Sequence, residues 1–343
     1  MSSAEYGYFS RLLHRVALGS PAILRATMQM EHQKWQGHEC DVDALAPVFV
    51  CGLARSGSTL LLNRLMATGA FSTSTYRHMP FVLAPNLWSG KSKQHRKAAI
   101  SAERAHGDGM THSFESEEAF EEVFWRAIGD PSKINGLLPW NLEVSAEDLN
   151  QFRRFMTSVV QAGDAGRYLS KNNNNVTRIP ALLESALSAR VVIPFRDPVN
   201  FAGSTLAQHR KFLDGHRANP FDAQYMAWLG HHEFGPFFKP FAAPGVVAPT
   251  EVTADYLVRY WSAVYGEVAT LPGTRAVFFD YDGFCEAPTA SMAALGASLG
   301  LKTTPTPPAQ VHPSRRYERA GIRAETLDNA CDILGALKDR ATV

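Results

Sequence analysis

At 343 residues and 45% hydrophobic content, the chain can bury the core of one large domain or two small ones. A formal net charge of +1 excludes a general electrostatic pull toward nucleic acid or anionic membrane, so any basic site must be local. Cys40, Cys51, Cys285 and Cys331 lie far apart with no CxxC spacing, which fits reduced thiols better than a disulfide framework or a zinc site.

The start, MSSAEYGYFSRLLHRV, has no apolar signal stretch, and no run of about 18 apolar residues follows, so a soluble cytoplasmic protein is expected. Residues to about Asp43 read as helical with a break at Pro21, an extension over 1–46 that packs on a single domain spanning 47–343. Val48-Phe-Val-Cys51 reads as a short buried strand, and Thr59 to Met66 as a helix closed by Gly69. Between them, Gly52-Leu-Ala-Arg-Ser-Gly-Ser-Thr59 follows the phosphate-loop frame GxxxxGK[ST] at every defining position except the lysine, where Ser58 stands. Strand, loop and helix N-terminus form an anion site, and loss of the lysine points to a ligand without a γ-phosphate.

The stretch from Ser72 to Met110 reads as long and irregular, a length that suggests a binding role. Helices are expected over Ser116 to Ile128 and Ser145 to Gln161, the second opening on the capping box Ser145-Ala-Glu-Asp148. On the first, Glu118, Glu121 and Glu122 cluster on the polar side, the usual pattern of a solvated face. Strands follow at Arg167 to Ser170 and Arg190 to Phe195, with a helix from Arg178 to Ser188 between them. Four prolines between Phe234 and Pro249 mark a loop that reads as a lid or separator. Ala254 to Val268 is an amphipathic helix, and Arg275 to Asp280 another strand. The alternation predicts an α/β fold of three layers, a central parallel sheet flanked by helices.

Two strand ends carry further chemistry. Arg196-Asp197-Pro198 follows the apolar strand Val191 to Phe195 and turns into a helix on which Ser204 and Gln208 share a face. Arg196 and Ser204 there make a second phosphate clamp, unless Arg196 simply pairs with Asp197 and Ser204 is a surface residue. Tyr168-Leu-Ser-Lys171 runs into Asn172 to Asn175, where Lys171 either replaces the missing loop lysine from another strand or decorates an Asn-rich surface turn.

Taken together, these segments resemble the sulfotransferases that use 3′-phosphoadenosine 5′-phosphosulfate, nearest to the bacterial carbohydrate and protein-tyrosine types. Gly52 to Leu62 resembles their 5′-phosphosulfate loop, Arg196 to Ser204 their 3′-phosphate motif, and Lys171 the lysine between them. Tyr281-Asp-Gly-Phe-Cys-Glu-Ala-Pro288 is similar to their YxxLxxxP segment, and the helix from Pro288 to Leu299 with Gly300-Leu301 to their LxxFLGL close. The resemblance implies a P-loop-like fold and a sulfuryl transfer to a hydroxyl on a carbohydrate or small metabolite, with no metal. It implies that Arg55, Ser56, Gly57, Ser58, Thr59 and Leu60 hold the 5′-phosphosulfate, that Arg196 and Ser204 hold the 3′-phosphate, and that Tyr281 lies against the adenosine or its phosphate. Lys171 would neutralise the bridging oxygen as the sulfuryl group leaves.

Where many members carry a glutamate soon after the first helix, this chain reads Ser72-Thr-Ser-Thr-Tyr-Arg-His-Met79, so the base is sought at His78 or at Glu118 in the acidic cluster. Arg315 and Arg316 in Val311 to Tyr317 are candidates to close over the 3′-phosphate, although the family's usual closing pattern is absent. The His231-His232 pair is assigned a core or surface role. A P-loop kinase or NTPase, and a nucleotide-binding module without turnover, remain as alternatives.

Overall fold

The computed structural model describes residues 8–34, 41–92, 102–103, 111–112, 120–129, 136–218 and 220–342. In chain order the elements are α1 (Tyr8–Gly19), α2 (Pro21–Lys34), β1 (Val48–Val50), α3 (Ser58–Met66), β2 (Phe71–Ser72), α4 (Pro85–Ser92), β3 (Ala102–Glu103), β4 (Thr111–His112), α5 (Glu122–Ile128) and α6 (Ala146–Ala162). Then come β5 (Arg167–Lys171), α7 (Ile179–Ser185), β6 (Arg190–Phe195), α8 (Pro198–Ala218), α9 (Pro220–Trp228), α10 (Ala254–Ala269), β7 (Ala276–Asp280), α11 (Tyr281–Glu286), α12 (Pro288–Ser298) and α13 (Ala324–Arg340).

Five strands make one sheet in the order β2-β5-β1-β6-β7, and each neighbouring pair is parallel. β1, β6 and β7 are near-continuous apolar runs because both faces of the sheet are covered. Phe49, Tyr168, Val191, Ile193 and Phe278 point into a large core shared with helices of one face, whereas Val48, Val50, Leu169, Val192 and Phe279 point into a smaller one under α3 and α12. The three-layer expectation therefore describes the molecule. Leu18, Leu24 and Met28 of α1 and α2 belong to the larger core, and Pro21 opens α2, where its missing N–H costs nothing. Among the described residues no helix is long and apolar enough to cross a membrane.

Local signals account for most boundaries. Ser145 caps α6 by accepting from the Asp148 N–H, and Thr253 caps α10 from the Tyr256 N–H. Three elements differ from expectation. The stretch after Ser72 contains α4, and the helix expected from Ser116 is described only from Glu122, its first part lying outside the described residues. Beyond the basic segment, α13 packs Ala330 and Leu337 into the larger core beside α10.

Candidate active site

The order of the sheet brings the three motifs together. Val50 at the end of β1 is paired with Lys171 on one side and Val192 on the other, so the phosphate loop leaves the sheet between the lysine strand and the arginine strand. The Tyr265 phenol of α10 stitches this junction, donating to Pro194 O at 2.7 Å and accepting from Leu53 N at 3.3 Å.

Within the loop, Gly57 is the N-cap of α3 with φ of 94° and no side-chain cap. The first backbone bond of the helix runs from Leu61 N to Gly57 O, leaving the N–H groups of Ser58, Thr59 and Leu60 without an acceptor inside the helix. That is the arrangement an anion completes. A Cβ at Gly57 would run into the Tyr281 ring, which lies against the loop. Gly57→Ala therefore combines left-handed strain with a steric clash and is expected to destabilise the fold by about 1–3 kcal/mol, measurable by chemical denaturation. Ser56 is buried and donates to Leu53 O at 2.7 Å, so its hydroxyl shapes the loop from within. Ser58 donates to Asn173 Oδ1 at 3.2 Å, tying the helix start to the turn after β5.

Arg55, itself at φ of 71°, crosses to α8 and donates from Nε to Ser204 Oγ at 3.1 Å. Asp197 does not pair with Arg196. Its carboxylate accepts from Asn200 N at 2.8 Å and caps α8, with Pro198 in the first turn. Arg196, only 6% exposed, lies over the Tyr281 ring at 5.2 Å, donates to Arg55 O and Ser314 Oγ, and stands 4.0 Å from Asp282. Its buried Nε has no hydrogen-bond partner and faces Asp282 Oδ1 at that 4.0 Å. Burial, with Cys285 next to it, pushes the Tyr281 phenol above its ordinary value. The segment Val311 to Tyr317 returns over the start of α8, with Tyr317 N donating to Asn200 and its ring seated on Gly203. The Arg315 carbonyl accepts from Arg196, its guanidinium lies over Tyr317, and Arg316 lines an adjoining cavity of about 620 Å³ together with Asp282 and Cys285.

Lys171 is buried, and the asparagines after it form no surface turn. Asn172 to Asn175 are all buried, and Asn172 and Asn175 bond two acids assigned from sequence to a solvated face. Glu121 accepts from Trp125, Tyr168 and Asn175, and Glu122 accepts from Asn172 and from both terminal nitrogens of Arg178. These acids brace the strand end, their carboxylates engaged by Tyr168, Asn175, Asn172 and Arg178. Glu118 lies outside the described residues. His78 is 1% exposed, its Nδ1 accepts from Thr75 N at 3.1 Å, and burial followed by Arg77 pushes its pKa down to about 4. A neutral imidazole bonded this way carries its proton on Nε2, so His78 offers a donor rather than a base.

One neighbour of Lys171 was not singled out from sequence. Glu233 Oε1 accepts from Asn173 Nδ2 at 2.8 Å, and its Oε2 stands 3.5 Å from His231 Nδ1. Burial favours the neutral acid, but His231, Lys171 and the Asn173 amide outweigh it and hold the carboxyl well below its ordinary range.

The sequence profile of the sulfotransferase family matches residues 47–234, more than half of the chain and including the phosphate loop, Lys171, Arg196 and Ser204. No match is found among curated proteins. Several solved structures match, and two of them show the shared fold. The sulfotransferase STF1 from Mycobacterium tuberculosis H37Rv aligns with a TM-score of 0.51 at 14% identity, covering 84% of this chain and 76% of that one. The sulfotransferase STF9 from Mycobacterium avium aligns with a TM-score of 0.50 at 13% identity, covering 97% and 79%. With its profile matched over more than half of its length and a parallel sheet of matching architecture, the chain belongs to the sulfotransferase family.

Proposed function

We propose that this enzyme moves a sulfuryl group from 3′-phosphoadenosine 5′-phosphosulfate to a hydroxyl acceptor of small-molecule or carbohydrate type, in the cytoplasm and without a metal. The observation that carries the reading is the pair of anion seats on neighbouring strands, the uncapped start of α3 and the Arg196–Ser204 pair joined to it by Arg55. A nucleotide with a phosphosulfate at one end and a 3′-phosphate at the other needs two such seats, and the N–H groups at the start of α3 and the Arg196 guanidinium are donors of the chemistry required. When bound, the donor supplies an activated sulfuryl group whose leaving oxygen gains negative charge.

In this reading Arg55, Ser56, Gly57, Ser58, Thr59 and Leu60 frame the 5′ end, Arg196 and Ser204 grip the 3′ end, Tyr281 lies along the nucleoside, and Arg315 and Arg316 flank its outer side. Ser58 in the lysine position is already bonded to Asn173, which disfavours a triphosphate ligand. Lys171 brings positive charge from the next strand to the leaving oxygen. Residues 47–343 are the catalytic unit and 1–46 an extension packed on it.

Calorimetry tests the donor class. The chain is expected to bind 3′-phosphoadenosine 5′-phosphate without Mg²⁺, and binding of ATP with Mg²⁺ in its place would overturn the proposal. Lys171→Ala is expected to lower turnover about 100-fold while changing affinity for the bisphosphate by less than about fivefold, because its charge acts where charge develops. Equal losses in both quantities would instead make Lys171 a binding residue.

A further inference from the structure

We propose that His231 is the general base of the sulfuryl transfer, oriented by Glu233, a reading that rests on the donor assignment above. Glu233 is linked to the phosphate loop through a single amide, since Asn173 donates to its Oε1 and accepts from Ser58. Lys171 lies close enough to Glu233 to help hold it ionised, so loop, lysine and carboxylate share one neighbourhood at the sheet's carboxyl edge.

The turn that carries the pair is fixed from several sides. Gly230 sits at φ of 77° with its carbonyl accepting from Asn174 Nδ2 at 3.0 Å, and a Cβ there would strike Glu122. Two residues past the acid, Gly235 N donates to His209 Nδ1 on α8 at 3.2 Å, and Lys239 N donates to His232 O at 2.9 Å. Such a turn holds a side chain in one place, as base chemistry requires.

The orientation of the ring decides its role. With Nδ1 facing the Glu233 carboxylate, the neutral imidazole carries its proton there and keeps a lone pair on Nε2, which has no hydrogen-bond partner among the described residues. The His231 side chain is 20% exposed. His78 has the opposite tautomer and is buried. His232 turns its Nδ1 to Phe237 O, a main-chain partner on its own turn. The charged groups around the pair are Glu233 and Lys171, with Lys239 and Glu122 beside His232. In the step, the acceptor's hydroxyl proton moves to His231 Nε2 as its oxygen bonds to sulfur. The bond from sulfur to the 5′-phosphate oxygen breaks, and its electron pair stays on that oxygen near Lys171. Glu233 is a positioning residue that stabilises the imidazolium formed.

The test uses the full chain with 15N-labelled histidine, His231 assigned through His231→Gln. The wild type is expected to show His231 as the Nδ1–H tautomer, and Glu233→Ala a mixture of tautomers. Addition of 3′-phosphoadenosine 5′-phosphate and inorganic sulfate is expected to move the His231 Nε2 resonance and leave that of His78 in place. In parallel, release of the bisphosphate from the phosphosulfate donor is followed with p-nitrophenol, a methyl glucoside or water as acceptor. His231→Gln is expected to lower it about 100-fold or more, with bisphosphate affinity within about twofold of wild type, and His232→Gln to leave it within about twofold. Bisphosphate binding with a silent or Nε2-protonated His231, or wild-type release by His231→Gln, overturns the base alone. Failure of the wild type to bind the bisphosphate overturns the donor reading and this assignment with it.

Discussion

Arg196→Ala is expected to weaken binding of 3′-phosphoadenosine 5′-phosphate by about 100-fold or more, roughly 3 kcal/mol, the range found when one partner of a buried charge contact is removed. The size follows from where the guanidinium sits. It is 6% exposed, lies over Tyr281, and is fixed by Arg55 O and Ser314, so it meets an incoming phosphate with little loss of side-chain freedom. Arg196→Lys should recover only part of the affinity, because a point charge replaces a planar fork. Titration calorimetry measures both, and affinity in Arg196→Ala equal to wild type would remove Arg196 from the clamp.

Glu122→Ala should cause the largest loss of stability, about 3–5 kcal/mol, by stranding a buried arginine. Arg178 is 4% exposed along its side chain, meets both oxygens of Glu122, and stacks over Trp125 at 4.7 Å. The variant also removes one of the two acceptors of the amide of Asn172, the residue that follows Lys171 in the chain. Urea denaturation reads the loss, and a double replacement of Glu122 and Arg178 by methionine is expected to recover most of it. A single variant as stable as wild type would show that Arg178 finds another partner or water.

The contrast between these two sites explains what could be read from the chain itself. Phosphate loop, Lys171 and Arg196 each occupy a contiguous strand-to-turn segment, where spacing and residue type carry the chemistry. The centre of the parallel sheet was legible for the same reason, since β1, β6 and β7 are local apolar runs. Glu121 and Glu122 were read as solvated because helical spacing alone says nothing of Tyr168, Asn172, Asn175 and Arg178, their partners some fifty positions away. His231 and Glu233 stood in a turn with no motif, and only the folded chain brings them beside Asn173 and Lys171. Two short or weakly apolar elements also escaped: β2 has two residues, and α13 buries Thr326 and Ala330, which give little hydrophobic signal.

The position of β1 between β5 and β6 has one more consequence. Neighbouring strands stand about 4.8 Å apart, so the lysine strand, the loop strand and the arginine strand form a ruler of about 10 Å across the sheet edge. That pitch is fixed by main-chain hydrogen bonds and is indifferent to side-chain replacement. Side chains along that edge can therefore be exchanged without altering the spacing between Lys171, the loop and the arginine strand.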